Sequence, residues 1–212
     1  YYNADPEADG NWGFAGTFDG NGHAIKNITA IGSTKEAVTA GLFGSVSGTV
    51  KNLTIENFTY QGVVKDTRVG AIAGQVLNGG KIVNCCLING NINTTVINTT
   101  GVAGGIAGAN YSGTIENCYV YNLTITAARL GGIVGDNYGD ANDSNGTDRP
   151  GTIKNCYTTT ETICARGTTT DSVSNVSADR YASGEIAFLL NRGNVDGTQA
   201  WYQNLDNGLT TD

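Results

Sequence analysis

A short motif centred on asparagine recurs along this chain and restricts the folds it can adopt. The motif places an apolar residue two positions before the asparagine and a second directly after it, and its copies are Ala24–Thr29, Thr49–Ile55, Lys81–Leu87, Thr114–Val120 and Thr152–Thr158. Their asparagines are Asn27, Asn52, Asn84, Asn117 and Asn155, separated by 25, 32, 33 and 38 positions. Steps of this length suit one supersecondary unit per repeat, each stacked on its neighbours.

The motif predicts a strand that bends at its asparagine. Strict alternation through Val50 would leave Leu53 and Ile55 facing solvent, whereas a bend at Asn52 turns all three inward. Asparagine tolerates the left-handed conformation that such a corner needs. We therefore predict an all-β fold, a right-handed parallel β-helix with about five coils. The five asparagines form a ladder along one edge, beside a buried column of Ile28, Leu53, Cys85, Cys118 and Cys156.

A glycine-rich unit precedes each of the last four copies. It reads Gly41–Gly44, Ala71–Gly74, Gly105–Gly108 and Gly132–Gly135. One large residue lies between small ones, which indicates a corner where two backbones approach closely. A phosphate-binding loop is not indicated, because no helical pattern follows the glycines.

The repeats extend over most of the chain, which indicates a single domain over residues 1–212. We assign coils to residues 13–160, an inserted loop to 136–150 and a capping region to 165–212. Within that region, apolar spacing predicts one short helix from Ser183 to Asn191. Phe188 of this helix, together with Trp201, Tyr202 and Leu205, is expected to close the end of the stack.

Charge and hydropathy exclude several classes of partner. Twelve Lys and Arg against nineteen Asp and Glu give a net charge of −7, which disfavours nucleic acid. The longest purely apolar run, Ile186–Leu190, is too short to span a membrane. The chain contains no Met and begins without a signal peptide, so we expect a processed protein or a fragment of a larger one.

Three segments resemble the GLUG-motif repeat family. Gly41-Leu42-Phe43-Gly44 matches the motif after which the family is named, Phe14–His23 is similar to its usual opening, and Ser183–Asn191 is similar to its terminator. The resemblance covers about Gly13 to Leu205. It implies a secreted or outer-surface bacterial protein in which the repeats form a stalk or adhesin region beside other modules. Some relatives carry a protease, but no His-Glu-x-x-His motif occurs here, and His23 is the only histidine.

The sequence lacks a clear catalytic constellation. His23 lies in a turn-like segment without the partners that serine, cysteine or zinc chemistry requires. Polysaccharide lyases and hydrolases with this fold need clustered carboxylates on an outer face, and the predicted outward positions contain no such pair. We expect no catalytic activity and no cofactor.

Two sets of residues are candidates for ligand binding. The predicted insertion contains Asp136, Asp140, Asp143 and Asp148, but their spacing lacks the EF-hand pattern and favours an ordinary solvated loop over a calcium site. Tyr119 and Tyr157 occupy equivalent outward positions on successive coils, where they either bind a sugar or protein partner or form a cross-strand packing ladder.

The five cysteines divide by position. Cys85, Cys118 and Cys156 follow the corner asparagines, so we expect reduced, buried thiols. Cys86 is predicted to face outward and to react faster, and Cys164 is not placed.

These features favour a non-catalytic extracellular scaffold or adhesin segment of a bacterial surface protein, which acts as a stalk or binds a host surface protein or glycan. The alternative is a carbohydrate-active module that binds or cleaves polysaccharide on one sheet.

Overall fold

The computed structural model describes residues 13–32, 39–62, 67–77, 79–94, 101–138, 150–162, 164–167, 171–191, 201–204 and 208–211. Strands dominate these residues, and two short helices follow the last parallel strand. The strands are β1 (Thr17–Asp19), β2 (Ala24–Ile31), β3 (Thr39–Ala40), β4 (Phe43–Val46), β5 (Thr49–Gln61), β6 (Arg68–Gly70), β7 (Ala73–Val76), β8 (Lys81–Asn93), β9 (Val102–Gly104), β10 (Ala107–Tyr111), β11 (Thr114–Glu116), β12 (Tyr119–Thr126), β13 (Arg129–Gly131), β14 (Val134–Tyr138), β15 (Thr152–Thr158), β16 (Cys164–Gly167), β17 (Asp171–Asn175), β18 (Trp201–Asn204) and β19 (Gly208–Thr211). The helices are α1 (Ala178–Ala182) and α2 (Glu185–Leu190).

Three parallel sheets account for every strand up to β17. The long sheet contains β1, β2, β5, β8, β11, β12, β15 and β17; the second sheet contains β4, β7, β10, β14 and β16; and the third contains β3, β6, β9 and β13. In each full repeat the chain visits the third, second and long sheets in that order. The predicted all-β class with parallel sheets is confirmed. The strands β18 and β19 form a separate antiparallel pair.

The bend at each corner asparagine puts the apolar residues on both sides of it inward. Asn52 has a φ of 54°, and its neighbours Val50, Leu53 and Ile55 are at most 1% exposed. The same column continues through Cys85, which pairs with Leu53, and through Cys118 and Cys156, all fully buried. The predicted inward phase is confirmed for these four residues.

The long sheet has two asparagine ladders where the sequence predicted one. In the first, Asn155, Asn117, Asn84 and Asn52 each donate a side-chain N–H to the preceding member, and Asn52 donates to Asp19. The second ladder consists of Asn122, Asn89, Asn57 and Asn27, which donate in the same direction. All eight asparagines have a φ between 49° and 61°.

The assignment of Asn27 and Ile28 to the first ladder and its column is therefore wrong. Strand β2 pairs with the second half of β5, so that Ile28 lies beside Phe58 and Asn27 bonds Asn57. The segment Ile55–Thr59, centred on Asn57, has the same pattern of residues as the first motif copy. Asn27 could therefore align with either Asn52 or Asn57, and the observed strand pairing aligns it with Asn57. Asp19, on β1, occupies the first position of the first ladder.

Close backbone contact explains the glycine-rich unit, as predicted. A Cβ added at Gly108 would lie 2.5 Å from the amide nitrogen of Val69 and 2.7 Å from the carbonyl oxygen of Gly74. Real Cβ atoms do not approach that closely, so the second and third sheets can only meet here through glycine.

The C-terminal region departs from the prediction in three respects. Strand β14 includes Asp136, so the first residues assigned to the insertion belong to the second sheet. Strands β16 and β17 pair with β14 and β15, so parallel pairing continues beyond residue 160 into the predicted capping region. The predicted helix is confirmed as α2, which begins after Gly184 (φ 83°) because Ser183 ends a further helix, α1, that the sequence did not predict.

Candidate binding surface

The outer side of the long sheet presents two faces, separated by the second ladder. The first, which we name the covered face, consists of Cys86, Ile88, Tyr119, Tyr121 and Tyr157. These residues project outward on β8, β12 and β15, and α1 and α2 pack over them. Ile186 and Leu190 of α2 are at most 1% exposed in this cluster. The predicted helix thus covers the side of the sheet through Ile186 and Leu190, whereas Phe188, predicted to help close the end of the stack, is 51% exposed.

Tyr119 and Tyr157 are consequently not an exposed pair. Their relative exposures are 0% and 5%, and the ring of Tyr181 stacks on Tyr119 at a centroid distance of 5.0 Å and on Tyr121 at 4.3 Å. Of the two alternatives for these tyrosines, their burial favours packing over ligand binding, because the apolar side chains of the helices need an apolar surface and find it here.

The two buried tyrosine hydroxyls differ in their bonding. The hydroxyl of Tyr157 donates to Oδ1 of Asn155 at 3.0 Å. This bond connects the covered face to Asn155, the last asparagine of the first ladder. The hydroxyl of Tyr119 has no hydrogen-bond partner among the described residues. Burial raises the pKa of Tyr119, since the phenolate would be desolvated.

The cysteines that flank the first ladder are all protected. Cys85, Cys86, Cys118 and Cys156 are free and buried. Burial raises the pKa of Cys85 and of Cys86 to about 12, and it raises the pKa of Cys118 well above its ordinary value. The predicted burial of Cys85, Cys118 and Cys156 is confirmed, and none of the three is in a disulfide. The prediction of a reactive Cys86 is wrong, because the helices bury it. Cys164 begins β16 and pairs with Val134.

The candidate metal residues do not form a site in the part of the chain that the structure describes. Asp136 is 3% exposed and its Oδ2 lies 3.0 Å from the guanidinium of Arg129. Asp140, Asp143 and Asp148 lie outside the described residues. Among the described residues, no group of three or more His, Cys, Asp or Glu side chains could hold a metal ion. Two repeats before Arg129, Arg68 donates to the hydroxyl of Tyr111 at 2.7 Å.

His23 lies in an exposed turn beside Asp19. Its Nδ1 is 2.9 Å from the carbonyl oxygen of Asn21, so the ring closes the turn on the backbone. The carboxylate of Asp19 contacts Lys51 at 2.9 Å and accepts from Asn52. These bonds, that of Lys51 foremost, lower the pKa of Asp19. The carboxylate thus serves as the end of the ladder.

Beyond the second ladder, the long sheet presents a different outer face, which we name the open face. It consists of two columns that alternate with inward residues: Thr29, Thr59, Asn91 and Thr124 in one, and Ile31, Gln61, Asn93 and Thr126 in the other. All are exposed except Thr59, which is half-buried. None carries a charge, and Ile31 is the only apolar member.

Sequence reasoning did not identify the open face. The signal that could have revealed it is the alternation of apolar and polar residues after each asparagine of the second ladder. This alternation occurs in Phe58-Thr59-Tyr60-Gln61, Ile92-Asn93 and Leu123-Thr124-Ile125-Thr126. Without the second ladder, these residues had no common register and resembled separate strand ends.

Comparison with protein-family models, with curated proteins and with solved structures gave no significant match to this chain. Neither α1 nor α2, the helices within the described ranges, is long and apolar enough to cross a membrane.

Proposed function

We propose that this chain is a right-handed parallel β-helix related to the GLUG-motif repeat proteins, and that it serves as a non-catalytic scaffold or adhesin segment. The repeated visit to three parallel sheets supports the coil architecture. The two ladders support rigidity, because each hydrogen bond between neighbouring asparagines joins two successive repeats.

The open face is the single observation that carries the binding role. It places eight outward side chains on four neighbouring strands, without charge and without a covering element among the described residues. The covered face shows that this fold buries an apolar outer surface under its own helices. The described residues leave the open face uncovered, and this exposure supports a role in binding a partner outside the chain.

The location that follows is extracellular or on a bacterial cell surface. There the segment is a stalk or an adhesin for a host surface protein or glycan, joined to other domains of a longer parent chain. The net charge of −7 argues against nucleic acid as the partner.

A carbohydrate-active module is the second candidate, and one observation favours it. The second and third sheets bring the buried Asp136 against Arg129, and Arg68 against Tyr111. Carboxylate, guanidinium and phenol groups are the types that act on acidic polysaccharides. Each group is engaged by its neighbour, and for this reason we rank the candidate second.

Incubation of the chain with a panel of polysaccharides distinguishes the two functions. A scaffold or adhesin retains polymer without releasing shorter products, as measured by size-exclusion chromatography of the polymer. Release of products that stops in the Asp136→Asn variant, while the variant keeps the wild-type melting temperature, would establish the enzymatic alternative. Immunolabelling of intact cells tests the proposed location.

A further inference from the structure

The regular spacing of the open face suits one class of ligand. Neighbouring strands of a sheet are about 4.8 Å apart, and alternate residues along one strand about 6.7 Å. The open face therefore presents the same two outward positions on each of four successive strands. Such an array fits a polymer that repeats at nearly the strand spacing.

The chemistry of these positions narrows the choice further. Threonine hydroxyls and asparagine and glutamine amides both donate and accept hydrogen bonds, as sugar hydroxyls do. No Lys or Arg lies in either column, so an acidic polymer finds no counter-charge there, while the chain as a whole carries −7. Charged pairs such as Lys26 and Glu56 lie on the other side of the second ladder.

We propose that the open face binds a linear neutral polysaccharide that runs along the columns, across the strands, with one sugar unit on each strand. The strand spacing is close to the length of one pyranose unit in an extended chain, so successive sugars meet equivalent side chains. This proposal specifies the ligand of the adhesin proposed above and therefore rests on it. The rigid ladder beside the columns fixes their spacing, which reduces the ordering cost of binding.

Affinity electrophoresis through gels containing a neutral β-glucan, mannan or xylan tests the proposal, with polygalacturonate as the acidic comparison. At least one neutral polymer should retard the chain, and added salt should leave the retardation unchanged, because no ion pair forms. Affinity for oligosaccharides of that polymer should rise with length and level off at about four units, one for each strand.

Strand β5 provides a matched pair of variants. Thr59→Val removes a hydroxyl from the open face. Thr49→Val, the control, removes a hydroxyl from an outward, half-buried position at the start of β5, before the corners at Asn52 and Asn57. Loss of one hydrogen bond should weaken binding about fivefold for Thr59→Val, with a similar further loss for Thr124→Val. Thr49→Val should bind like the wild type.

Three results would overturn the assignment. The first is retention of acidic polymer alone, abolished by salt. The second is failure of every neutral polymer to bind. The third is an equal loss of binding in Thr59→Val and Thr49→Val. If neutral polymer binds and Thr49→Val alone weakens it, the adhesin function stands and the assigned face is wrong. If a host surface protein binds and no glycan does, the adhesin function again stands and the ligand class is wrong.

Discussion

The covered face and the open face share strands β8 and β12, yet one is buried and the other is exposed. Strand β12 contributes Tyr119 and Tyr121 to the first and Thr124 and Thr126 to the second, with Asn122 between them. The aromatic residues lie under α1 and α2, whereas the threonines remain exposed. Because the two sets of residues lie on the same strand, the composition of each face decides whether it is buried or exposed. An apolar outer face recruits a cover from its own chain, and a polar one stays available for binding.

Cysteine reactivity should show the largest effect of the cover. At a pKa of about 12, Cys86 and Cys85 hold about a thousandfold less thiolate near neutral pH than at the ordinary value of 9.0. Cys86 on the covered face should therefore react as slowly as Cys85 in the interior. Thiol labelling with mass spectrometry, with and without denaturant, measures both. Rapid native labelling of Cys86 alone would mean that the helices do not stay on the sheet.

Truncation of one residue on each face to alanine should lower the free energy of unfolding much more on the covered face than on the open face. Tyr119→Ala leaves a cavity between the sheet and Tyr181, at a cost of about 3–5 kcal/mol in the free energy of unfolding. Thr124→Ala on the open face should cost less than about 0.5 kcal/mol. Chemical denaturation of the two variants makes the comparison. Equal costs would contradict the difference in burial between the faces.

The two ladders should respond differently to the same substitution. Asn84→Ala forces a non-glycine residue into a left-handed corner and breaks two half-buried ladder bonds, which costs about 2–3 kcal/mol. Asn89→Ala carries the same strain but breaks exposed bonds, so about 1–2 kcal/mol is expected.

Glycine at either position isolates the two contributions. Asn84→Gly and Asn89→Gly relieve the backbone strain while the ladder bonds stay broken. Thermal denaturation of the four variants should show that glycine recovers a larger fraction of the alanine loss at residue 89 than at residue 84. An equal fraction at both positions would mean that burial of the first ladder adds nothing.

Removal of the two tyrosine hydroxyls should change stability by about 1 kcal/mol in opposite directions. Tyr157→Phe loses the bond to Asn155 and destabilises the protein. Tyr119→Phe removes a hydroxyl that is buried without a partner among the described residues, so it stabilises the protein. Paired urea titrations test the signs, and destabilisation in both variants would reveal a bond at Tyr119.

Acid should weaken the first ladder, which ends in a carboxylate, while the second ends in Asn27. The folded-state pKa of Asp19 is lowered, chiefly by Lys51, so its contribution is present above the unfolded pKa of about 3.9 and is lost as pH falls through the folded value. Asp19→Asn keeps an acceptor for Asn52 and should flatten the acid limb of the melting temperature. This is the smallest effect, since Asp19 is solvent-accessible; an unchanged acid limb would exclude a role for the carboxylate.

The sequence alone determined the parallel strands, the left-handed corners and the inward phase. Val50, Leu53 and Ile55 can all be buried only if the chain bends at Asn52, and this local constraint recurs in every later copy. The glycine-rich unit likewise encodes its own close contact, because glycine lacks the atom that would clash. The corner depends on residues within a few positions of each other. The glycine contact joins distant positions, such as Gly108 and Gly74, but it requires only that no side chain is present.

The tertiary structure decided the register of β1 and β2 on β5, and it decided which outer face the helices cover. The residues around Asn27 match those around Asn52 and those around Asn57 equally well. Only the pairing of β1 and β2 with β5 places Asn27 beside Asn57. Tyr119 has the outward phase that the sequence predicts, and it is buried because α1 and α2, about sixty residues later, pack on it. Contacts between segments so far apart depend on which surfaces meet after the chain has stacked, and no local pattern specifies them.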